Sequence, residues 1–284
     1  MRLDGQRESA NVEDRRGMSP MMRGGGLGCG GLIIVLVLAW LTGMDPRQLL
    51  QTADQVVPQQ QSNEPQGQVG APADQLGKFA SQVLGSTEDV WETVFSANGR
   101  TYEKPRLVLF SGRVGSACGM ASSASGPFYC PLDRQVYIDL SFFEEMTRRF
   151  GAPGDFAQAY VIAHELGHHI QRLRGIEGRV RQAQEARPSA ANALSVRLEL
   201  QADCYAGIWG HSTAERQILE AGDVDEALSA AASIGDDRIQ RMSGRGVQPE
   251  SFTHGSSAQR VEWFKRGFES GDLDTCDTFA RGTD

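Results

Sequence analysis

No sustained run of lysine and arginine occurs in the 284 residues, and acidic side chains outnumber basic ones 36 to 28, giving a net charge of −8. A nucleic-acid surface needs a basic patch, so nucleic acid is excluded as a partner. No segment repeats itself. Long apolar runs are also scarce: the one exception is Leu27 to Met44, which has no charged residue and contains LIIVLVLAWL from Leu32 to Leu41. After Leu41 the chain continues Thr42, Gly43, Met44, Asp45, Pro46, which offers no small-x-small cleavage site and argues against a cleaved signal peptide. Cys29 precedes the apolar run, whereas a lipoprotein signal would place its cysteine after it.

What remains for residues 27–44 is an uncleaved anchor. Eighteen residues at about 1.5 Å each give roughly 27 Å of helix, just enough to cross a hydrocarbon core. Arg2, Arg7, Arg15, Arg16 and Arg23 precede it, and only Arg47 follows before Lys78. The positive-inside rule then puts the N-terminus in the cytosol and everything after Met44 outside. The expected layout is a cytosolic tail over 1–26, a transmembrane anchor over 27–44, a flexible linker over 45–85 and a folded domain over 86–284. The linker is rich in Gln, Pro, Asp and Gly (VVPQQQSNEPQGQVGAPADQ), too polar to bury a core. The domain is expected at the inner membrane, on its periplasmic or extracellular side, with the bilayer touched through 27–44.

Cysteine usage fits an exported domain. Besides Cys29 there are Cys118, Cys130, Cys204 and Cys276, an even number that reads as two disulfides. Three pairings can be drawn; the short segment between Cys118 and Cys130 closes easily, which favours that pair and leaves Cys204 with Cys276.

Apolar residues make up 40% of the chain, enough for a sizeable core. The fold class expected is α+β, mainly helical with a small N-terminal sheet, preceded by one transmembrane helix. Pro105 to Ser111 reads as a strand, and Gly126 to Leu140 as two strands around a Pro-Leu-Asp-Arg turn. Helices are expected from Asp155 to about Arg172, Asn192 to His211, Asp223 toward Ile234, and Ser257 to Phe268.

The segment Tyr160-Val-Ile-Ala-His164-Glu165-Leu-Gly-His168-His169 carries the chemistry. Residues four apart share a helix face, so His164 and His168 project together and can hold one metal ion. Glu165 sits at the edge of that face, where its carboxylate can act as general base on a water molecule. Thirty-one residues past His168, the next helix supplies Glu199 and Asp203 in ELQAD, again four apart. Two carboxylates on a packed helix are costly without partners. Glu199 is expected as third metal ligand and Asp203 as acceptor for a ligand histidine's second N–H. His169, about 100° further round the helix, is left out of the ligand set. His254 is the candidate donor to the oxyanion, with Tyr137 and Tyr205 behind it.

HELGHH with ELQAD is similar to the gluzincin pattern. The opening MRLDGQRESANVEDRRG, the segment SACGMASSASGPFYCPLDRQVYIDLSFF, ADCYAGIWGH and FTHGSSAQRVEWF resemble the neutral zinc metallopeptidases of bacteria over nearly the whole chain except the linker. The resemblance implies a zincin-like domain holding one Zn2+ and hydrolysing a peptide or protein substrate. By analogy with zinc peptidases of that layout, the strand Val136, Tyr137, Ile138 would pair with extended substrate. A membrane-anchored zinc-binding scaffold or chaperone-like factor without hydrolytic activity is the rival reading; Glu165 argues against it, since a non-catalytic site needs no carboxylate there.

Overall fold

The computed structural model describes residues 1–17, 67–244 and 246–280. In chain order the strands and helices are β1 (Val12–Asp14), β2 (Gln68–Val69), α1 (Gln75–Ala97), β3 (Arg106–Phe110), β4 (Arg113–Ser116), β5 (Gly119–Ser122), β6 (Phe128–Cys130) and β7 (Gln135–Asp139). Then follow α2 (Ser141–Arg148), α3 (Asp155–Leu173), α4 (Ile176–Ala186), α5 (Ala191–Glu215), α6 (Asp223–Ser233), α7 (Asp236–Met242) and α8 (Ser257–Ser270). The described residues are thus mainly helical with a small mixed sheet, as expected.

The sheet runs β2-β1-β3-β7-β6, with β1, β3 and β7 parallel and the two outer strands antiparallel. The run RLVLF of β3 is buried on both faces, as a central parallel strand must be. Leu107 and Leu109, level with Val136 and Ile138 of β7, face the main core built from the helices. Val108, Phe110 and Tyr137 point the other way, into a smaller cluster closed by Val114 of the β4–β5 hairpin and by Cys130. Both disulfides pair as favoured, Cys118 with Cys130 and Cys204 with Cys276.

Two expectations are corrected at the N-terminal end. Met1–Arg16 is no tail: it folds into one unit with the residues from Gln68 onward. β1 is inserted between β2 and β3, with Val12 opposite Leu107 and Glu13 opposite both Val108 and Val69. The segment is also held by polar contacts to α1, where the buried Glu88 carboxylate accepts from Ser9 Oγ at 2.7 Å, Asn11 Nδ2 at 2.8 Å and Arg7 Nη2 at 2.9 Å. A bilayer crossing between residues 17 and 67 would separate β1 from its own sheet. Among the described residues the segment expected as a cytosolic tail and the domain expected outside are thus one folded unit, not two separated parts.

The folded unit also starts well before Ser86. β2 and the first turns of α1 fall inside the stretch read as linker, and Ser86 lies mid-helix. Asp74 caps α1 by accepting from Gly77 N at 3.0 Å. The anchor expected over 27–44 and the linker up to residue 66 lie outside the described residues. Among the described residues no helix is long and apolar enough to cross a membrane.

Candidate metal centre

α3 carries HELGH. Phe156, Tyr160, Ala163 and Ile170 recur at helical spacing and are buried, which turns His164 and His168 toward α5. The approach of α5 depends on Gly167: a Cβ there would lie 2.9 Å from both the Cα and the carbonyl oxygen of Ala202. α5 in turn seats against α8, where a side chain on Gly207 would collide with the Phe264 carbonyl. Three helices are thereby brought within one side chain of each other.

The two imidazoles meet edge to face, with ring centroids 5.0 Å apart. Glu199 reaches across from α5: its Oε2 is 3.2 Å from His164 Nε2 and its Oε1 is 3.5 Å from His168 Nε2. One donor atom from each of the three residues lies within 4.8 Å of the others. Donor atoms around a tetrahedral zinc with ligand bonds of about 2.0–2.1 Å stand roughly 3.3–3.4 Å apart. The spacing and the donor set, two nitrogens and a carboxylate, fit that ion.

The far nitrogens are held as well. His164 Nδ1 lies 2.8 Å from Asp203 Oδ1, the contact expected from the ELQAD spacing. His168 Nδ1 lies 2.9 Å from Gln171 Oε1, while Gln171 Nε2 donates to the Leu198 carbonyl at 2.6 Å, next to Glu199. With each Nδ1–H donated, both Nε2 lone pairs face the Glu199 carboxylate. Electrostatics point the same way. Burial pulls the His164 pKa down, but the charge and hydrogen bond of Asp203, with Glu199, outweigh it and raise the value to about 9. Burial pushes Glu199 up, but His168 and His164 hold it far below the usual carboxylate range. The surroundings thus favour positive charge between the imidazoles and Glu199.

A cleft of about 630 Å³ opens over this group, lined by His164, Glu165, His168, Glu199 and His254 together with the aromatic rings of Phe128, Tyr129, Phe142 and Phe150. His254 approaches from the segment before α8. Asp236 Oδ2 accepts from the backbone N–H groups of Thr253 at 2.7 Å, His254 at 2.6 Å and Gly255 at 3.1 Å, and its Oδ1 lies 3.3 Å from His254 Nδ1. The hydrogen bond to Asp236 outweighs partial burial and raises the His254 pKa. Tyr137 and Tyr205 do not stand behind it. Tyr137 donates to Asp133 at 2.9 Å, and Tyr205 accepts from Arg174 at 2.6 Å. Neither lines the cleft.

The substrate strand expected at Val136, Tyr137 and Ile138 is also corrected. These residues lie on β7, a central strand that pairs with β3 along one side and, over Gln135–Tyr137, with β6 along the other. The strand that ends the sheet on this side is β6, and its Phe128 and Tyr129 line the cleft. His169 is buried, with Nδ1 3.1 Å from the Tyr129 hydroxyl and Nε2 2.7 Å from the Glu103 carbonyl.

Four side chains of the site escaped the sequence reading: Gln171, Tyr160, Arg260 and Asp236. Gln171 had a signal, being three residues past His168 on the same face. Tyr160 also had a signal, standing four residues before His164 on the same face, whereas Arg260 stands within a quoted segment but carries no spacing that marks it. Asp236 has none; it meets His254 across 18 residues.

Comparison with known proteins agrees with this geometry. The chain is 52% identical over 290 residues to the "Uncharacterized protein YpfJ" of Escherichia coli (strain K12), a match covering 99% of each. It is 43% identical over 259 residues to the "Uncharacterized protein Mb2605" of Mycobacterium bovis (strain ATCC BAA-935 / AF2122/97), covering 85% of each. No solved structure matches at the same stringency. One family model spans residues 1–279 and is described as "Putative neutral zinc metallopeptidase"; the chain belongs to that family.

Proposed function

We propose that the chain is a zinc-dependent endopeptidase, with His164, His168 and Glu199 as ligands of one ion. The observation that carries this is the convergence of both Nε2 atoms on the Glu199 carboxylate, at 3.2 and 3.5 Å, with Glu165 on the same helix in the same cleft. Zinc held there would supply a Lewis acid that polarises a carbonyl and brings the pKa of water down to roughly 7. Glu165 takes the proton of the attacking water and returns it to the leaving amine. His254, oriented by Asp236, donates to the developing oxyanion. Asp203 and Gln171 fix the two imidazole tautomers. The edge of β6, which has no second strand partner among the described residues, takes the place of β7 as the strand that receives an extended substrate. Two disulfides support a compartment outside the cytosol.

Metal analysis of the purified chain beside Glu165→Gln and His168→Ala, with casein hydrolysis, tests this reading. Wild type and Glu165→Gln should hold about one zinc and His168→Ala should lose it. Hydrolysis in Glu165→Gln should fall by about 10²- to 10⁴-fold. Zinc without cleavage by wild type would favour the scaffold reading; no zinc would end both.

A further inference from the structure

Directly behind His164 lies an ion pair between Asp203 and Arg260, whose side chains are 0% and 2% exposed. The guanidinium grips both carboxylate oxygens: Nε donates to Oδ2 at 2.8 Å and Nη2 to Oδ1 at 2.9 Å. Oδ1 also accepts from the Tyr160 hydroxyl at 2.5 Å and faces His164 Nδ1 at 2.8 Å. The same Nη2 stands 3.3 Å from Nδ1 and 3.5 Å from Nε2 of His164.

Holding helices together does not account for this arrangement. A buried ion pair contributes little net stability, and apolar side chains of similar volume often do as well or better. The placement against His164 also has an electrostatic consequence. An uncompensated guanidinium 3.5 Å from the nitrogen that faces the ion would oppose any cation. An Asp203 without the guanidinium would be free to turn away from the ring. Paired, the two charges cancel, and the fork leaves the carboxylate a single orientation.

Resting on the zinc reading above, we propose that Arg260 is a positioning residue for the metal centre. Its fork fixes Asp203 in the orientation that aims His164 Nε2 at Glu199, and its charge is offset by that of Asp203.

The test measures zinc affinity of the full chain by competition with a chromophoric chelator, and the absorption spectrum of the cobalt-substituted protein. Circular dichroism establishes that each variant is folded. Arg260→Met should lose about 10- to 100-fold in zinc affinity, the range for partners that orient metal ligands, and shift the cobalt bands. Arg260→Lys keeps the charge but has no fork, so its affinity should fall between the two with the bands still shifted. If Arg260→Met fails to fold, Arg260→Lys decides alone. Folded variants with wild-type affinity and spectrum, or with lowered melting temperature as their only change, overturn the proposal and leave the zinc reading intact. A wild-type chain that binds neither metal overturns both.

Discussion

Replacing Glu88 by alanine should unfold the chain at markedly lower urea, because this carboxylate ties the N-terminal segment to α1. It is fully buried and accepts hydrogen bonds from Ser9 Oγ at 2.7 Å and Asn11 Nδ2 at 2.8 Å. Hydrogen bonds to a charged group contribute ~1.5–3 kcal/mol each, so losing both costs about 3–6 kcal/mol. The ion pair with Arg7 is left out of that figure, since Arg7 is 43% exposed and solvent screens it. Ser9→Ala removes one of the two donors and should cost ~1–2 kcal/mol. Combined with Glu88→Ala it should add less than its single effect, because the two side chains share one interaction.

A tail on the far side of a membrane predicts something different. Glu88 would then face water, and its replacement would fall within about 0.5 kcal/mol, as surface changes do. Urea unfolding followed by tryptophan fluorescence is a suitable assay, since Trp91 and Trp209 are buried in the core. A Glu88→Ala cost below about 1 kcal/mol, or strict additivity with Ser9→Ala, would refute the placement of Met1–Arg16 in the sheet.

Asp236→Asn should move the alkaline limb of kcat/KM to lower pH. His254 has a raised pKa because of Asp236, so its donating, charged form is present below that value and is lost as pH rises through it; an unmoved limb would remove His254 from the reaction. Removing the Cys204–Cys276 disulfide, which closes 72 residues, should cost ~4 kcal/mol on the chain-entropy model, and the 12-residue Cys118–Cys130 link about 3 kcal/mol. Urea midpoints of the paired Cys→Ser variants check both, and equal midpoints for wild type and variants would remove the disulfides from the stability of the fold.

The parts of the molecule legible in the sequence are those whose determinants sit within one or two helical turns. Asp155–Leu173 and Asp223–Ser233 have nearly the expected limits because periodicity and flanking glycines are local. The proposed ligand set is legible for the same reason: His164 and His168 share a face by spacing, as do Glu199 and Asp203. α1 was hidden by what packs on it. Its buried face includes Ser81, Gln82, Gly85 and Glu88, a polar sequence where a core helix would carry leucine. Those residues are polar because backbone lies against them: Ser81 Oγ donates to the Ser9 carbonyl at 3.1 Å and Gln82 Nε2 to the Leu3 carbonyl at 3.0 Å. A Cβ on Gly85 would come within 2.5 Å of the Arg7 carbonyl oxygen.

The misplaced substrate strand marks where local reasoning ends. Val136–Ile138 has the alternation of a half-buried strand, and Phe128–Cys130 is only three residues long, so pattern alone favours β7 as the working edge. Whether a strand is an edge is no property of its own residues; it depends on what pairs with its other side. β7 loses its free edge to β3, a strand almost 30 residues earlier, through the parallel register Leu107 to Val136 and Leu109 to Ile138. β3 is in turn flanked by β1, more than 90 residues earlier still, with Val12 opposite Leu107. Pairing with β3 thus makes β7 a central strand and leaves β6 beside the cleft, just as pairing with β1 makes β3 central in turn.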